Sequence, residues 1–445
     1  MLGTLGTAIT LIALVAIALA LLLRLEGALP PVLACVLVLP VASFGGAGFR
    51  AEHVLMPVVQ LAVLLRIGGT RGCGGGAVPL LLGASWLALG LAAAVDSPVT
   101  TGGWFLGSYT VVRPLLWIAL GLVAWSPTIV PSLVRWWLGS SMVISALVLA
   151  QAAQVPIVRA VSDIWYASAG RAAGTLIAEA ELQGFFARPM GTFENVAYAA
   201  TAELLSLGTA LWWLTSGPAS RLDRALAIGA LMLAVAAGFA TVSATFIAGA
   251  PIVVVVALLL AVRRPSWISV AAVFVTGALV TLGLLWLMDT MWGGAASMAA
   301  QVDRVRTITL FANRYSSGNG VMADAIRDIG HRPWFGWGVL AGGDTFFSDS
   351  LYVFVAYTTG AVGVALMLLL LVSPWAHARR VSSLAARFAA LWAVIMLLAG
   401  LGAPTVFVPR LMEWWWAIVG IMAGLNVDRL HSEMPIVDVP RRTVR

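Results

Sequence analysis

The sequence predicts an all-α polytopic membrane protein of about 12 to 13 transmembrane helices, with a long external loop containing amphipathic helices. Its 445 residues are 61% apolar and only 10% charged. The mean hydropathy is +0.98, and apolar runs of about 18 to 22 residues, the length that crosses hydrocarbon as a helix, recur from end to end. The runs are apolar on every face rather than alternating, so their backbone hydrogen bonds must close within helices and a β-barrel is excluded.

Taken in order, the apolar segments fall near 5–24, 29–43, 53–67, 77–95, 104–125, 132–153, 194–216, 222–240, 243–262, 267–288, 349–373, 383–402 and 409–426. The first lacks a basic n-region and an A-x-A site and is followed by further helices, so it reads as a retained helix, not a signal peptide. The second is short and carries Pro30, Pro31 and Pro40, which predicts a broken or re-entrant segment and leaves the count at 12 or 13. Arg66 and Arg71, Arg221 and Arg224, Arg263 and Arg264, Arg379 and Arg380, and the tail at 427–445 with Arg441, Arg442 and Arg445 fall on one side, which the positive-inside rule makes cytoplasmic. The connections 154–193 and 289–348 are then external loops. No polar stretch is long enough to fold alone, so 1–445 reads as a single transmembrane domain.

In the second loop, after Ser317, the apolar residues Met322, Ala325, Ile326 and Ile329 recur at helical spacing while Asp324, Arg327 and Asp328 point elsewhere; Gly330 and Pro333 end the helix. Beside hydrocarbon such a helix lies at the interface or caps a cavity, or is simply a surface helix.

All 26 basic residues are arginine. Without lysine there is no P-loop, Schiff-base or lysine-base chemistry, whereas the planar guanidinium is suited to a diphosphate. The net charge of +7 follows topology and gives nucleic-acid binding no support. Cys35 lies in an apolar run and Cys73 in a Gly-rich turn, and His53 and His331 are isolated, so neither a disulfide framework nor a metal site is expected.

Polar residues gather at a few places. Arg188 stands before a helix whose start contains Gly191, Thr192, Glu194 and Asn195, a setting that suits an anionic ligand or an arginine reaching to lipid phosphates. Asp344, Ser348, Asp349 and Ser350 cluster before the eleventh run; Asp349 is positioned either as a general base or as an ordinary helix cap. Arg113 and Glu203 lie furthest inside apolar runs and are candidates to pair with each other. Arg410 and Glu413, three residues apart on one helix face, reach toward one outer cavity, and Arg50, Glu52 and His53 form another small outer group.

Three of these stretches resemble the O-antigen ligase and O-antigen polymerase superfamily of membrane glycosyltransferases, whose architecture is GT-C-like. RPMGTFENVAYAA resembles that family's R-x-x-G-T-F-x-N-P-N-x-x-A, matched at Arg188, Gly191, Phe193 and Asn195, with Val196 and Ala197 replacing Pro and the second Asn. ADAIRDIGHRPWFGWG resembles an amphipathic helix running into P-x-x-G-x-G, matched at Pro333, Gly336 and Gly338. SDSLYVFVAYTTGAVG is similar to H-(N/S/Q)-x9-G-x-x-G, with Ser350, Gly360 and Gly363 in register and Asp349 in place of His. That Asp argues against a standard lipopolysaccharide-core ligase and is familiar among polymerase-like members. Where the family carries a second arginine before the amphipathic helix, this chain has Gly318, and Arg314 is the nearest candidate, with Arg304 and Arg306 in reserve.

The resemblance implies metal-independent, inverting transfer of a glycan from a polyprenyl (undecaprenyl) diphosphate donor to a glycan or lipid-glycan acceptor. The reaction would take place at the outer face of a bacterial cytoplasmic membrane, with no cofactor. It implies Arg188, Arg314 and Arg410 at the diphosphate, Asp349 as base, and Asn195, Arg304, Arg306 and Ser350 as further contacts. Two other readings stay open: a polyprenyl-monophosphate-sugar glycosyltransferase whose acid is Glu52, and a lipid-linked glycan transporter or flippase with Arg113 and Glu203 along its path.

Overall fold

The computed structural model describes residues 25–39, 42–44, 47–49, 58, 77–94, 113–124, 129–153, 155–158, 189–193, 195–216, 220–241, 243–261, 322–338, 350–378, 383–408 and 410–424. The expected runs at 5–24 and 267–288, nearly all of 53–67, most of both long connections and the tail lie outside the described residues. The helices are α1 Leu25–Val38, α2 Ala77–Ala94, α3 Arg113–Val123, α4 Ile129–Ala152, α5 Val196–Ser216, α6 Arg221–Ala240, α7 Ala244–Ala261, α8 Ala323–His331, α9 Leu351–Ala378, α10 Ser383–Ala399 and α11 Leu411–Gly424. Three stretches, Ile129–Ala152, Arg221–Ala240 and Leu351–Ala376, are long and apolar enough to cross a membrane. The chain is thus helical and has the character of a membrane protein.

The core forms around α5, which is buried along most of its length and packs against α4, α6, α7 and α10. Small residues set how closely helices approach, as expected where dispersion rather than water exclusion drives packing. A Cβ on Gly208 of α5 would lie 2.7 Å from Ile395 and 2.8 Å from Val253, on α10 and α7. At the crossing of α3 and α11, a Cβ on Gly121 would lie 2.9 Å from the Ile421 amide nitrogen, and one on Gly420 the same distance from that of Leu122. These two helices start at the same end, because Arg113 and Glu413, in their first turns, form a buried ion pair. Trp137, Trp392 and Trp414 bring α4, α10 and α11 together, with Trp137 edge-on to both others at 4.7 and 5.0 Å. Near the starts of α4 and α6, Arg135 donates to both Asp223 carboxylate oxygens at 2.7 and 3.0 Å.

One local expectation is corrected, and one local element is added. Segment 29–43 is not broken at Pro30 or Pro31, through which α1 runs continuously, and Pro40 lies outside the described residues. Burial of Leu29, Val32, Leu33, Val36 and Leu37 outweighs the lost amide donors. Immediately afterwards Ala42–Phe44 pairs antiparallel with Ala47–Phe49, a small ribbon that falls mostly in the connection between the expected runs 29–43 and 53–67. The Gly45–Gly46 pair between the strands is the two-residue hairpin signal that could have found it.

Candidate functional site

The amphipathic helix and the two glycine motifs form one structural unit. Helix α8 lays Met322 and Ala325 against Val353 and Tyr357 of α9, flanked by Ile326, Ile329 and Trp337. Asp324 and Arg327 remain on its exposed face, 3.1 Å apart. The chain then turns at Pro333 and enters a break in α9. That break is at Gly360, whose φ of 66° and ψ of −168° interrupt the helix. Four backbone bonds close it: the Trp337 and Gly338 amides donate to the Tyr357 and Thr358 carbonyls, both at 2.8 Å, and the Ala361 and Val362 amides donate to the Pro333 and Trp334 carbonyls at 2.8 and 3.3 Å. The groups freed by interrupting the helix are therefore satisfied by the P-x-x-G-x-G turn, as they must be inside a low-dielectric bundle.

The glycine spacings follow from this clasp. Gly336 has φ +68°, and a Cβ there would fall 2.6 Å from the Thr359 nitrogen and the Tyr357 oxygen. Gly360 must give way to the backbone of Trp334 and Phe335. Gly363 leaves room for the side chain of Thr359, whose hydroxyl accepts from the Trp86 indole of α2 at 3.2 Å.

A second set of contacts gathers several chain ends at one end of the bundle. Gln151, near the end of α4, locks the turn before α5: its Oε1 accepts from the Met190 and Gly191 amides at 3.0 and 2.8 Å, and its Nε2 donates to the Gly191 carbonyl at 3.2 Å. Gly191 itself has φ +63°. The next residue, Thr192, donates to the Leu37 carbonyl of α1 at 3.0 Å, and Arg410 donates to the same carbonyl at 3.4 Å. Just before α11, the Thr405 hydroxyl donates to the Met396 carbonyl of α10 at 2.9 Å, while the Leu351 amide of α9 donates to the Gly400 carbonyl at 2.8 Å.

Arg410 is unusual among these residues. It is buried, and among the described residues it is the one non-glycine with positive φ, at 75°. It also places a cation at the start of α11, where the helix dipole disfavours positive charge. A conformation that costs on the order of 1–3 kcal/mol is retained where the side chain has a use, and Glu413 one turn on offsets part of the electrostatic cost.

Of the residues singled out from sequence, Arg188, Arg304, Arg306, Arg314, Asp349, Glu52 and His53 lie outside the described residues. Their described neighbours Pro189 and Ser350 begin the turn that Gln151 holds and the helix that meets Gly400. Asn195 caps α5, its Oδ1 accepting from the Ala197 amide at 2.8 Å. Ser350 is buried at the start of α9, accepting from the Val353 amide at 3.4 Å and reaching the Gly400 carbonyl at 3.5 Å.

The pairing of Arg113 with Glu203 is corrected. Arg113 pairs with Glu413, and Glu203 accepts at 2.7 Å from the Ser145 hydroxyl of α4. Glu413 is consequently turned into the bundle against α3, where it is fully buried. Gln151 was not singled out from sequence, where the signal available was one amide near the end of an apolar helix; Thr192 stood in the polar group at the start of α5.

No protein-family model matches the chain, and no curated protein is significantly similar to it.

Proposed function

We propose that this protein transfers a glycan from a polyprenyl-diphosphate carrier to an acceptor hydroxyl at the outer face of a bacterial cytoplasmic membrane, as a polysaccharide polymerase or ligase of GT-C-like architecture. The observation that carries the proposal is the clasp at Gly360. The P-x-x-G-x-G turn and the G-x-x-G helix, two motifs that resemble those of the O-antigen ligase and polymerase superfamily, fit each other backbone to backbone. Their co-occurrence in one sequence therefore has a physical reason. The buried, left-handed Arg410 adds support, because it stands at the bundle end where the flanks of Arg188 and Asp349 also arrive.

In this mechanism the acceptor oxygen attacks C1 of the donor sugar from the face opposite the diphosphate. The C1–O bond to the diphosphate breaks and its electron pair leaves with the diphosphate, inverting the anomeric centre. The hydroxyl proton passes to the Asp349 carboxylate, provided it is within hydrogen-bond reach. Arg188, Arg314 and Arg410 hold the diphosphate and stabilise the charge that develops on it, without a metal. Asn195, Arg304, Arg306 and Ser350 are further candidates at the margin of the site.

The test is a reconstituted assay of glycan transfer with release of polyprenyl diphosphate, comparing Asp349→Asn, Arg188→Ala and Glu52→Gln. The expected result is loss with the first two and retention with the third. Loss confined to Glu52→Gln would overturn the site assignment in favour of a monophosphate-sugar donor. Movement of lipid-linked glycan across vesicles without a new glycosidic bond would overturn transfer altogether.

A further inference from the structure

The break at Gly360 also divides α9 by surroundings. From Ser350 to Gly360 no residue is exposed, whereas from Ala361 onward one face of the helix is open and apolar: Val362, Leu368, Leu369, Val372 and Trp375. At 28 residues the whole helix is about 42 Å long, well beyond a hydrocarbon core of about 30 Å. The part after the break, Ala361–Ala378, is about 27 Å long and by itself matches that thickness.

The turn docked at the break carries two large exposed side chains, Trp334 at 66% and Phe335 at 59%. They continue the open apolar face of α9, because the Val362 amide donates to the Trp334 carbonyl. Beside them the Arg332 guanidinium is stacked 4.4 Å from the Trp337 ring centre, and the Trp337 indole in turn donates to the Asp328 carbonyl at 2.9 Å. His331 is exposed next to it. Aromatic rings at the acyl boundary with a cation at phosphate level are what an interfacial anchor requires, and Trp375 supplies the matching ring toward the other end of the stripe.

We propose that the turn Arg332–Phe335 is a membrane anchor: Trp334 and Phe335 enter the acyl boundary of the phospholipid leaflet beside the break in α9, with Arg332 at the headgroup phosphates. The hydrocarbon then begins at Gly360. The first part of α9 and the amphipathic α8 stand outside it, so α8 is held at a fixed height over the bilayer surface. The partner is the lipid surface itself. The inference rests on α9 crossing a membrane and is independent of glycan transfer.

The test uses the full chain with Cys35 and Cys73 replaced by serine, a nitroxide on Phe335→Cys, and nanodiscs of phosphatidylcholine and phosphatidylglycerol. Power saturation compares collisions with oxygen and with a water-soluble nickel chelate. A label on Asp324→Cys, on the outer face of α8, is the aqueous reference. The expected result is a several-fold higher oxygen-to-nickel ratio at position 335 than at 324. Equal ratios would overturn the proposal, and so would shielding from both reagents, which would mean a protein contact there. Trp334→Cys gives a second reading from a neighbouring exposed position should Phe335→Cys fold poorly.

Discussion

Replacing Gly360 by alanine perturbs the clasp at its tightest point. The native φ of 66° with ψ of −168° lies in a region populated essentially by glycine alone, so the backbone change costs about 1–3 kcal/mol. The new methyl also occupies the space held by the Trp334 and Phe335 backbone. Relieving that overlap requires the turn to leave α9, which breaks the four backbone bonds to Tyr357, Thr358, Ala361 and Val362. At a net value near 1 kcal/mol each, those bonds bring the total to about 5–7 kcal/mol. The bundle around α5 does not depend on them, so the expected result is local opening of the turn and not global unfolding.

Hydrogen exchange in detergent reads this directly. Protection of the Trp337, Gly338, Ala361 and Val362 amides should fall about a thousandfold for every 4 kcal/mol lost, while amides in α5 keep theirs. Gly330→Ala is the control: nothing lies within 4 Å of a Cβ there, and in a helix the substitution is expected to be neutral or to stabilise by about 0.5–1 kcal/mol. Wild-type protection at those four amides in Gly360→Ala would refute the claim that the turn's backbone dictates the break.

At Arg410, both Gly and Ala remove the side chain but only Gly tolerates φ 75°. Arg410→Gly should therefore unfold later in detergent than Arg410→Ala by about 1–2 kcal/mol, the reverse of the usual helix preference, and equal stabilities would contradict the strain argument. Arg113→Met leaves Glu413 buried without its cation and should cost about 3–5 kcal/mol, whereas Arg113→Met with Glu413→Met should recover most of that; simple additivity in melting experiments would argue against the pair. Ser145→Ala removes the donor to Glu203 and should destabilise by about 1–3 kcal/mol, while Glu203→Gln keeps an acceptor for that hydroxyl and should stay within about 1 kcal/mol of wild type, both read from thermal unfolding.

Much of the outline was legible because hydropathy is a local property. Segments near 77–95, 222–240, 243–262 and 383–402 correspond to α2, α6, α7 and α10 within a few residues. The helix after Ser317 appears as α8, with Met322 and Ala325 on its buried side, because amphipathic spacing and its terminators act within one or two turns. Glycine and proline positions also marked the turn at 333–338. What that spacing could not reveal is that the turn has a receptor in α9, since either motif read alone is only a bend or a flexible helix.

The sequence by itself determined a helical, membrane-type chain and the places where polar groups interrupt hydrocarbon, because solvent preference and helix start and stop are properties of neighbouring residues. Only the tertiary structure decided that Arg113 pairs with Glu413 across 300 positions, that Glu203 turns to Ser145, that Arg410 and Thr192 share the Leu37 carbonyl, and that α9 is interrupted to admit another segment's backbone. A buried charge or an orphaned amide must find a partner somewhere, but which partner depends on the helices that close packing brings alongside, and that choice is made by the whole chain at once.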